Sequence, residues 1–350
     1  MRGISVYLSE ELTSASIDWI ERMQEAGFTS VFTSLHIPED NPTTYTERLQ
    51  QLGELARRLK MELVADIAPS SLQALSKTWD DAYTLLEWGV TGLRVDYGVT
   101  PKQVADLSRH MKVALNASTL TETELEEMHR YGLQRERVEA WHNFYPRPET
   151  GLDRTWFDEK NLWLRSQGIK VQAFIPGDER LRGPLHETLP TLEMHRHQSP
   201  FSCYIDLQAT VDWILIGDPR ISNQTMRQFQ AYDGGVIVLR ATIRNHDDSL
   251  PTSHTNRMDP GRDVIRSVES RAYGRPGHHL IQPRDATEER VLGSVTIDNE
   301  RYGRYAGELQ ITKRDLPADK RVNIIGRVIE EDRSLIQQIS PGGRFQIEWV

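Results

Sequence analysis

The sequence predicts an α/β chain in which a (β/α)8 TIM barrel is followed by a smaller β domain. Eight short runs rich in β-branched residues alternate with longer amphipathic stretches through the first two thirds of the 350 residues, the pattern of repeated βα units and a parallel sheet. Eight units over roughly 230 residues match a closed barrel, whereas a doubly wound sheet more often stops at five or six strands. After "YDGGVIVLRATI" the helical period fades and short strands separated by turns take over, as in a mostly antiparallel β domain. The expected division is a barrel over residues 1–236 and a β domain over 237–350.

In chain order the barrel strands are expected at "GISVYLS" from Gly3, "SVFTSLHI" from Ser30, "ELVADIA" from Glu62, "GLRVDYG" from Gly92, "KVALNAS" from Lys112, "RVEAWHNF" from Arg137, "KVQAFIP" from Lys170 and "VDWILIGD" from Val211. The intervening helices are "SASIDWIERMQEA", "TYTERLQQLGELARRLK", "TWDDAYTLLEWG", "TPKQVADLSRHM", "TETELEEMHRYG" and "DRTWFDEKNLWLRSQG", then a less regular stretch around "TLPTLEMHRH", and finally "SNQTMRQFQAY". Several begin at Ser, Thr or Asp and stop at Gly, as helix capping prefers. "RNHDDSLPTSHTNRMDPGRD" reads as a linker or excursion, and "RVLGSVTID", "YAGELQIT", "VNIIGRVI" and "GRFQIEWV" as strands of the second domain.

Apolar content of 38% with 27% charged residues describes a chain that folds around ordinary cores. No segment approaches the ~20 apolar residues of a membrane span, and the opening "MRGISVYLSEELTSASIDW" lacks a signal-peptide core, so a cytoplasmic, membrane-free protein is expected. Cys203, the one cysteine, is expected to be a buried hydrophobe on a helix. A net charge of -9 without a basic run disfavours nucleic acid, while a small anion needs only a few local cations. Homo-oligomerisation is compatible with the sequence.

Reactive groups of such barrels lie at the C-terminal ends of the strands. The exits here carry Ser34, His36, Asp66, Asp96, Tyr97, Asn116, His142, Asn143, Asp178 and Asp218. A helix cap is the competing role for Asp66 and the expected one for Asp218 before Pro219. Asp96 meets Arg94 only if a neighbouring strand intervenes, since residues i and i+2 of a strand share a face but are spaced apart. "HNFYPRPETGL" (142–152) gathers imidazole, amide, phenol, guanidinium and carboxylate, and its two prolines stiffen it for positioning a ligand. "PGDERLRGPLHETLPTLEMHRH" is a second polar concentration. The pair His195 and His197 is a poor metal site, Lys112 and Lys170 stand at strand entrances where a Schiff-base lysine is useless, and no nucleotide motif follows a strand. No cofactor or metal is therefore expected, and acid/base chemistry by carboxylates and His remains.

"GISVYLSE", "TSLHIPE", "LNAST", "HNFYPRPETGL", "IPGD", "RGPLHETLPTLEMHR" and "IGDP", in this order, resemble the bacterial 6-phospho-N-acetylmuramidases, MupG-type glycoside hydrolases. "NRMDPGRDVIRSVESR" resembles the start of that family's second domain, so the resemblance covers the chain and implies a cyclophilin-like β domain. It also implies cytoplasmic hydrolysis of the β-1,4 bond between N-acetylmuramic acid 6-phosphate and N-acetylglucosamine, a disaccharide of peptidoglycan recycling. The "outer surface" label carried by relatives would require an export signal or lipoprotein cysteine that the start of this sequence lacks.

A glycosidase of this kind usually needs two carboxyl groups. Asp178 and Glu149 are the expected pair, with the substrate's 2-acetamido group as an alternative nucleophile and with Asp66 and Asp96 as reserve. Arg147 and Arg182 suit the phosphate and lactyl carboxylate. Asp66, Asp96, Asn116, His142, Asn143 and Tyr145 complete the expected binding set. In the second domain Arg257, Asp259, Arg262, Asp263 and Arg266 form either a lid over phosphate or a salt-bridge network. A phosphosugar isomerase or epimerase, or a non-enzymatic sugar-phosphate-binding protein, are the rival readings.

Overall fold

Residues 1–35, 42–244, 252–270, 281–284 and 288–350 are described by the computed structural model; His36 and part of the expected linker lie outside them. The chain divides into two compact units, Met1–Met226 and Arg227–Val350.

In the first unit, β1 (Arg2–Ser5), β2 (Ser30–Ser34), β3 (Glu62–Ile67), β4 (Gly92–Val95), β5 (Lys112–Asn116), β6 (Val138–Trp141), β7 (Lys170–Ile175) and β8 (Trp213–Ile216) pair in parallel with their neighbours. β8 returns to β1 and closes the barrel. The helices are α1 (Ser14–Glu25), α2 (Pro42–Arg58), α3 (Pro69–Ala74), α4 (Pro101–Ser108), α5 (Glu122–Arg130), α6 (Arg154–Ser166) and α7 (Pro200–Leu207), and α8 (Asn223–Asp233) begins in this unit. Thr13, Thr100, Thr121 and Asp153 each accept a hydrogen bond from a first-turn amide, and Gln103 and Glu124 return one in capping boxes, which fixes where these helices start. Among the described residues no helix is long and apolar enough to cross a membrane.

Two helices differ from expectation. "TWDDAYTLLEWG" forms a 3₁₀ helix over Ala82–Trp88, and the α-helical turn lies earlier, at α3. Asp81 accepts bonds from the Thr78 amide and hydroxyl at 2.5 and 2.7 Å, and such side-chain turns compete with a regular helix start. The seventh helix is α7, started by Pro200 and capped by Ser199; "TLPTLEMHRH" is instead tied to the loop after β6. Cys203 is buried on α7.

The two-residue period of the strands builds the interior. Phe32, Val64, Ala114, Trp141, Phe174, Trp213 and Leu215 form its core, with Tyr7 and Phe144 packed against it. The Phe32 ring meets those of Trp141 and Phe174 at 6.1 and 5.2 Å. This plug is filled with side chains, so anything bound at the mouth rests on an aromatic floor. At the strand entrances Lys112 pairs with Glu62 and Glu139 at 2.6 and 3.0 Å.

The second unit is a curled seven-stranded sheet, a half-barrel. Its strands are β9 (Val236–Ile243), β10 (Ser253–Thr255), β11 (Val264–Arg266), β12 (Ser294–Asp298), β13 (Leu309–Thr312), β14 (Val322–Val328) and β15 (Arg344–Trp349), in the order β10-β15-β9-β14-β12-β13-β11. Only the β15–β9 pairing is parallel. The chain following β10 meets that following β11 at an isolated antiparallel bridge, Asn256 to Ser267, so the sheet's two margins touch. Inside, the fully buried Asp332 accepts two bonds from the Arg240 guanidinium at 2.9 and 2.6 Å and one from Gln228 at 2.9 Å. The expected basic and acidic cluster is a salt-bridge network: Arg257 with Asp259, Arg262 with Asp263, and Arg266 with Glu308.

Candidate active site

Residues one step beyond the aromatic plug converge at the exits of β3 to β6. Val64, Ala114 and Trp141 face the interior, so Asp66, Asn116 and Asn143, two residues later, face the mouth. Register places Asp66 beside Arg94 on the adjacent strand. The buried Arg94 donates to Asp66 Oδ1 at 2.8 Å and to Asn143 Oδ1, and lies 3.7 Å from Asp96 Oδ1. Asn116 donates to the same Asp96 oxygen at 2.6 Å. Arg94 thus meets Asp96, two residues further along its own chain, directly and not through a neighbouring strand; Asp66 joins the pair from β3, and the residue at the N-cap of α3 is Ala68.

Tyr145 joins this group. Burial raises its phenol above the usual range, opposed by the nearby Ser118 side chain and by the Arg94 charge. Asp66, Asp96, Asn116, Asn143 and Tyr145 therefore stand together around Arg94, which sequence reading treated only as a possible partner of Asp96.

His142 does not stand there. It follows Trp141 and precedes Asn143, so strand alternation turns it outward onto α6, where it is 0% exposed, bonds Asn161 at 2.7 Å and packs 4.7 Å from the Phe157 ring. Burial pushes its pKa down to about 4. Its expected role as a substrate ligand is corrected to a core contact.

Asp178 is also spent elsewhere. Its carboxylate accepts bonds from the Ser222 amide at 2.7 Å, the Ser222 hydroxyl at 2.9 Å and the Thr225 hydroxyl at 2.5 Å, fastening the β7 exit to the start of α8. Asp218 accepts from the amides of Gly177, Leu189 and Arg182 at 2.9, 2.9 and 3.1 Å, so it organises the loop after β7 rather than capping a helix; burial raises its pKa.

The loop that carries Tyr145, Arg147 and Glu149 is held from outside. Glu193 Oε1 and Oε2 accept the amides of Glu149 and Gly151, each at 2.8 Å. Arg196 bonds Glu193 at 2.6 and 2.7 Å and donates to the carbonyls of Tyr145 and Arg147 at 2.9 and 3.3 Å. The Arg196 guanidinium holds the Glu193 carboxyl down to about 2. Gly151 is required here, because a Cβ would sit 2.6 Å from Glu193 Oε2. Arg147 and Glu149 are exposed, and their side chains make no hydrogen bond or ion pair among the described residues. Sequence reading missed Glu193 and Arg196 as a clamp; their i, i+3 spacing was the available signal.

On the opposite arc of the mouth, the Arg182 guanidinium lies 3.9 Å over the Tyr7 ring, and Tyr7 donates to the Gly217 carbonyl at 2.5 Å. Burial pushes the Tyr7 phenol up to about 12. His195 and His197 part company, the first buried on Asp206 and the second exposed beside Glu187.

Models of the N-terminal and C-terminal parts of 6-phospho-N-acetylmuramidase match residues 2–231 and 236–348. The chain belongs to the 6-phospho-N-acetylmuramidase family. This supports a glycoside hydrolase. It is 43% identical to a conserved Enterococcus faecalis protein of unknown function, over 100% of this chain and 96% of that one, with a TM-score of 0.90. An uncharacterised B. cereus protein shares the fold at 24% identity and a TM-score of 0.72, over 99% of both chains. No curated protein matches. For this muramidase-family chain, a phosphorylated sugar is the substrate class that the family suggests.

Proposed function

We propose that the protein hydrolyses the β-1,4 bond between N-acetylmuramic acid 6-phosphate and N-acetylglucosamine, as a cytoplasmic step of peptidoglycan recycling. The carrying observation is the Arg94-centred cluster, which brings two carboxylates and two amides to the mouth of a family-matched barrel.

In this reading Asp66 and Asp96 replace Asp178 and Glu149 as the catalytic pair. Asp66, salt-bridged to a buried arginine, is the anionic member, serving as nucleophile or as base toward water or the 2-acetamido group. Asp96 Oδ1 is held by Asn116, while Oδ2 has no partner among the described residues and faces the glycosidic oxygen as proton donor. Asn143 and Tyr145 read substrate polar groups, and Arg147 and Glu149 border the leaving sugar. His142 takes no part.

The test incubates the purified chain with the phosphorylated disaccharide and follows products by mass spectrometry. Release of both monosaccharides is expected; a product equal in mass to the substrate would instead indicate an isomerase or epimerase. An aryl glycoside with a good leaving group should restore turnover to Asp96→Asn and not to Asp66→Asn. The reverse pattern would exchange their roles.

A further inference from the structure

Between the exits of β1, β7 and β8 lies a cavity of about 550 Å³, separate in composition from the Arg94 cluster. Its walls include Tyr7, Trp19, Glu10, Arg180, Arg182 and Arg220. Three guanidinium groups thus gather at one place on a chain of net charge -9.

They are not equivalent. Arg180 is ion-paired with Glu10. Arg182 and Arg220 have no carboxylate within ion-pair distance among the described residues; they lie over aromatic rings, Tyr7 at 3.9 Å and Trp19 at 5.8 Å. Asp218, whose carboxyl feels the Arg182 charge, has both oxygens occupied by backbone amides. A cation resting on a ring keeps its N–H edge for another acceptor, so two fork-shaped donors remain available in a half-enclosed setting.

We infer that this cavity binds the phosphomonoester of a hexose 6-phosphate, with Arg182 and Arg220 holding the phosphate oxygens and the Tyr7 and Trp19 side supporting the sugar. The inference rests on the proposed substrate and adds its direction: the phosphorylated end enters between β1 and β8, and the bond to be cut lies toward Asp66 and Asp96. Loops after the last two strands are a recurrent phosphate position in barrels of this architecture. Guanidinium groups bind phosphate bidentately, and the surrounding low dielectric strengthens the contact. Glu10 tempers the site by neutralising Arg180.

Calorimetry on the full chain with glucose 6-phosphate, glucose and inorganic phosphate tests this without requiring turnover. The parent should bind glucose 6-phosphate more tightly than either partial ligand. Arg182→Met and Arg220→Met should each weaken it about ten- to a hundredfold, with Arg220→Lys between them and the parent. Glu10→Gln, which keeps both arginines and releases Arg180, should tighten binding about two- to fivefold, since an exposed pair is worth roughly that much. Unchanged binding in both Met variants, equal affinity for inorganic phosphate and glucose 6-phosphate, or no tightening in Glu10→Gln would each overturn the assignment. With the phosphorylated disaccharide and its unphosphorylated counterpart as substrates, Arg220→Met should raise KM for the phosphorylated form at least about tenfold more than for the unphosphorylated one. An equal rise for both forms would show that the cavity reads some other group. Failure of hydrolysis with retained, arginine-dependent binding would sink the proposed reaction and leave this site standing.

Discussion

The two arcs of the barrel mouth carry similar residues and balance charge differently. At the exits of β3 to β6, Arg94 is enclosed by Asp66, Asp96 and Asn143. At those of β1, β7 and β8, Arg182 and Arg220 lie on aromatic rings. A guanidinium already matched by carboxylates gains little from an incoming anion and serves to hold those carboxylates in place. An unmatched one gains much. On the proposed function, the first arc suits preorganised chemistry and the second recognition.

The largest test of this contrast is the catalytic pair. Asp66→Asn and Asp96→Asn should each lower kcat by about 10²- to 10⁴-fold, whereas Asp178→Asn and Glu149→Gln should retain it to within about tenfold. Steady-state kinetics with the phosphorylated disaccharide decide; near-normal turnover in the first two with loss in the others would restore the expectation drawn from sequence and end the distinction between the arcs.

Stability separates them next. Arg94→Met leaves the partly exposed Asp66 and Asp96 carboxylates without their buried cation and should cost about 1–3 kcal/mol. Arg220→Met removes no paired charge and should shift a urea midpoint by little, within about 0.5 kcal/mol. Comparable losses in both would mean that the second arc is also a structural network.

The contrast concerns inward residues, so outward His142 should be silent in the pH dependence of kcat/KM and audible in that of stability. Its folded pKa, about 4, lies below its ordinary 6.5. The unfolded chain thus binds the extra proton first, and the stability that neutral His142 contributes is present above 6.5 and lost as pH falls toward 4. At about 1.4 kcal/mol per unit this is roughly 2–4 kcal/mol. Melting between pH 7 and 4 should be flatter in His142→Gln, with an unchanged pH–rate profile; a shifted rate profile would return His142 to the site.

The smallest effect belongs to the clamp. Glu193→Gln keeps neutral hydrogen bonding but weakens the bond to Arg196, so amide exchange at Glu149 and Gly151 should speed up by about five- to tenfold with KM rising only a few-fold. The parent should show the same loosening on acidification, because a carboxyl lowered from 4.5 to about 2 loses its contribution as pH falls through that interval. Exchange rates that ignore both changes would remove the clamp.

The barrel was legible because each strand is a β-branched run and each exit is polar, and the change of pattern after Ile243 marked the second sheet. Short helices were less legible: α3 and α7 follow local turn chemistry and tertiary ties rather than a long apolar period. Within the mouth, Asp66, Asp96, Asn116 and Asn143 could be placed by counting to strand ends. His142 needed parity as well, since Trp141 and Asn143 face inward and the residue between them cannot. Arg94 was underweighted because its partners are 28 and 49 residues away in sequence, and only inter-strand register brings them beside it. Asp178 looked like an acid at a strand exit; the hydroxyls that occupy it come from Ser222 and Thr225, beyond the next strand.

The Glu193–Arg196 clamp acts on main-chain amides and carbonyls of the loop after β6. Every residue but proline supplies those groups, so at Arg147 and Glu149 the frame asks little of the side chains it displays. If the proposed function holds, Arg147 is a tooth on a fixed comb that can be changed without refolding the mouth, and Glu149, at φ 70°, is best exchanged for Asn, Asp or Gly, so this loop is where leaving-sugar preference would be retuned.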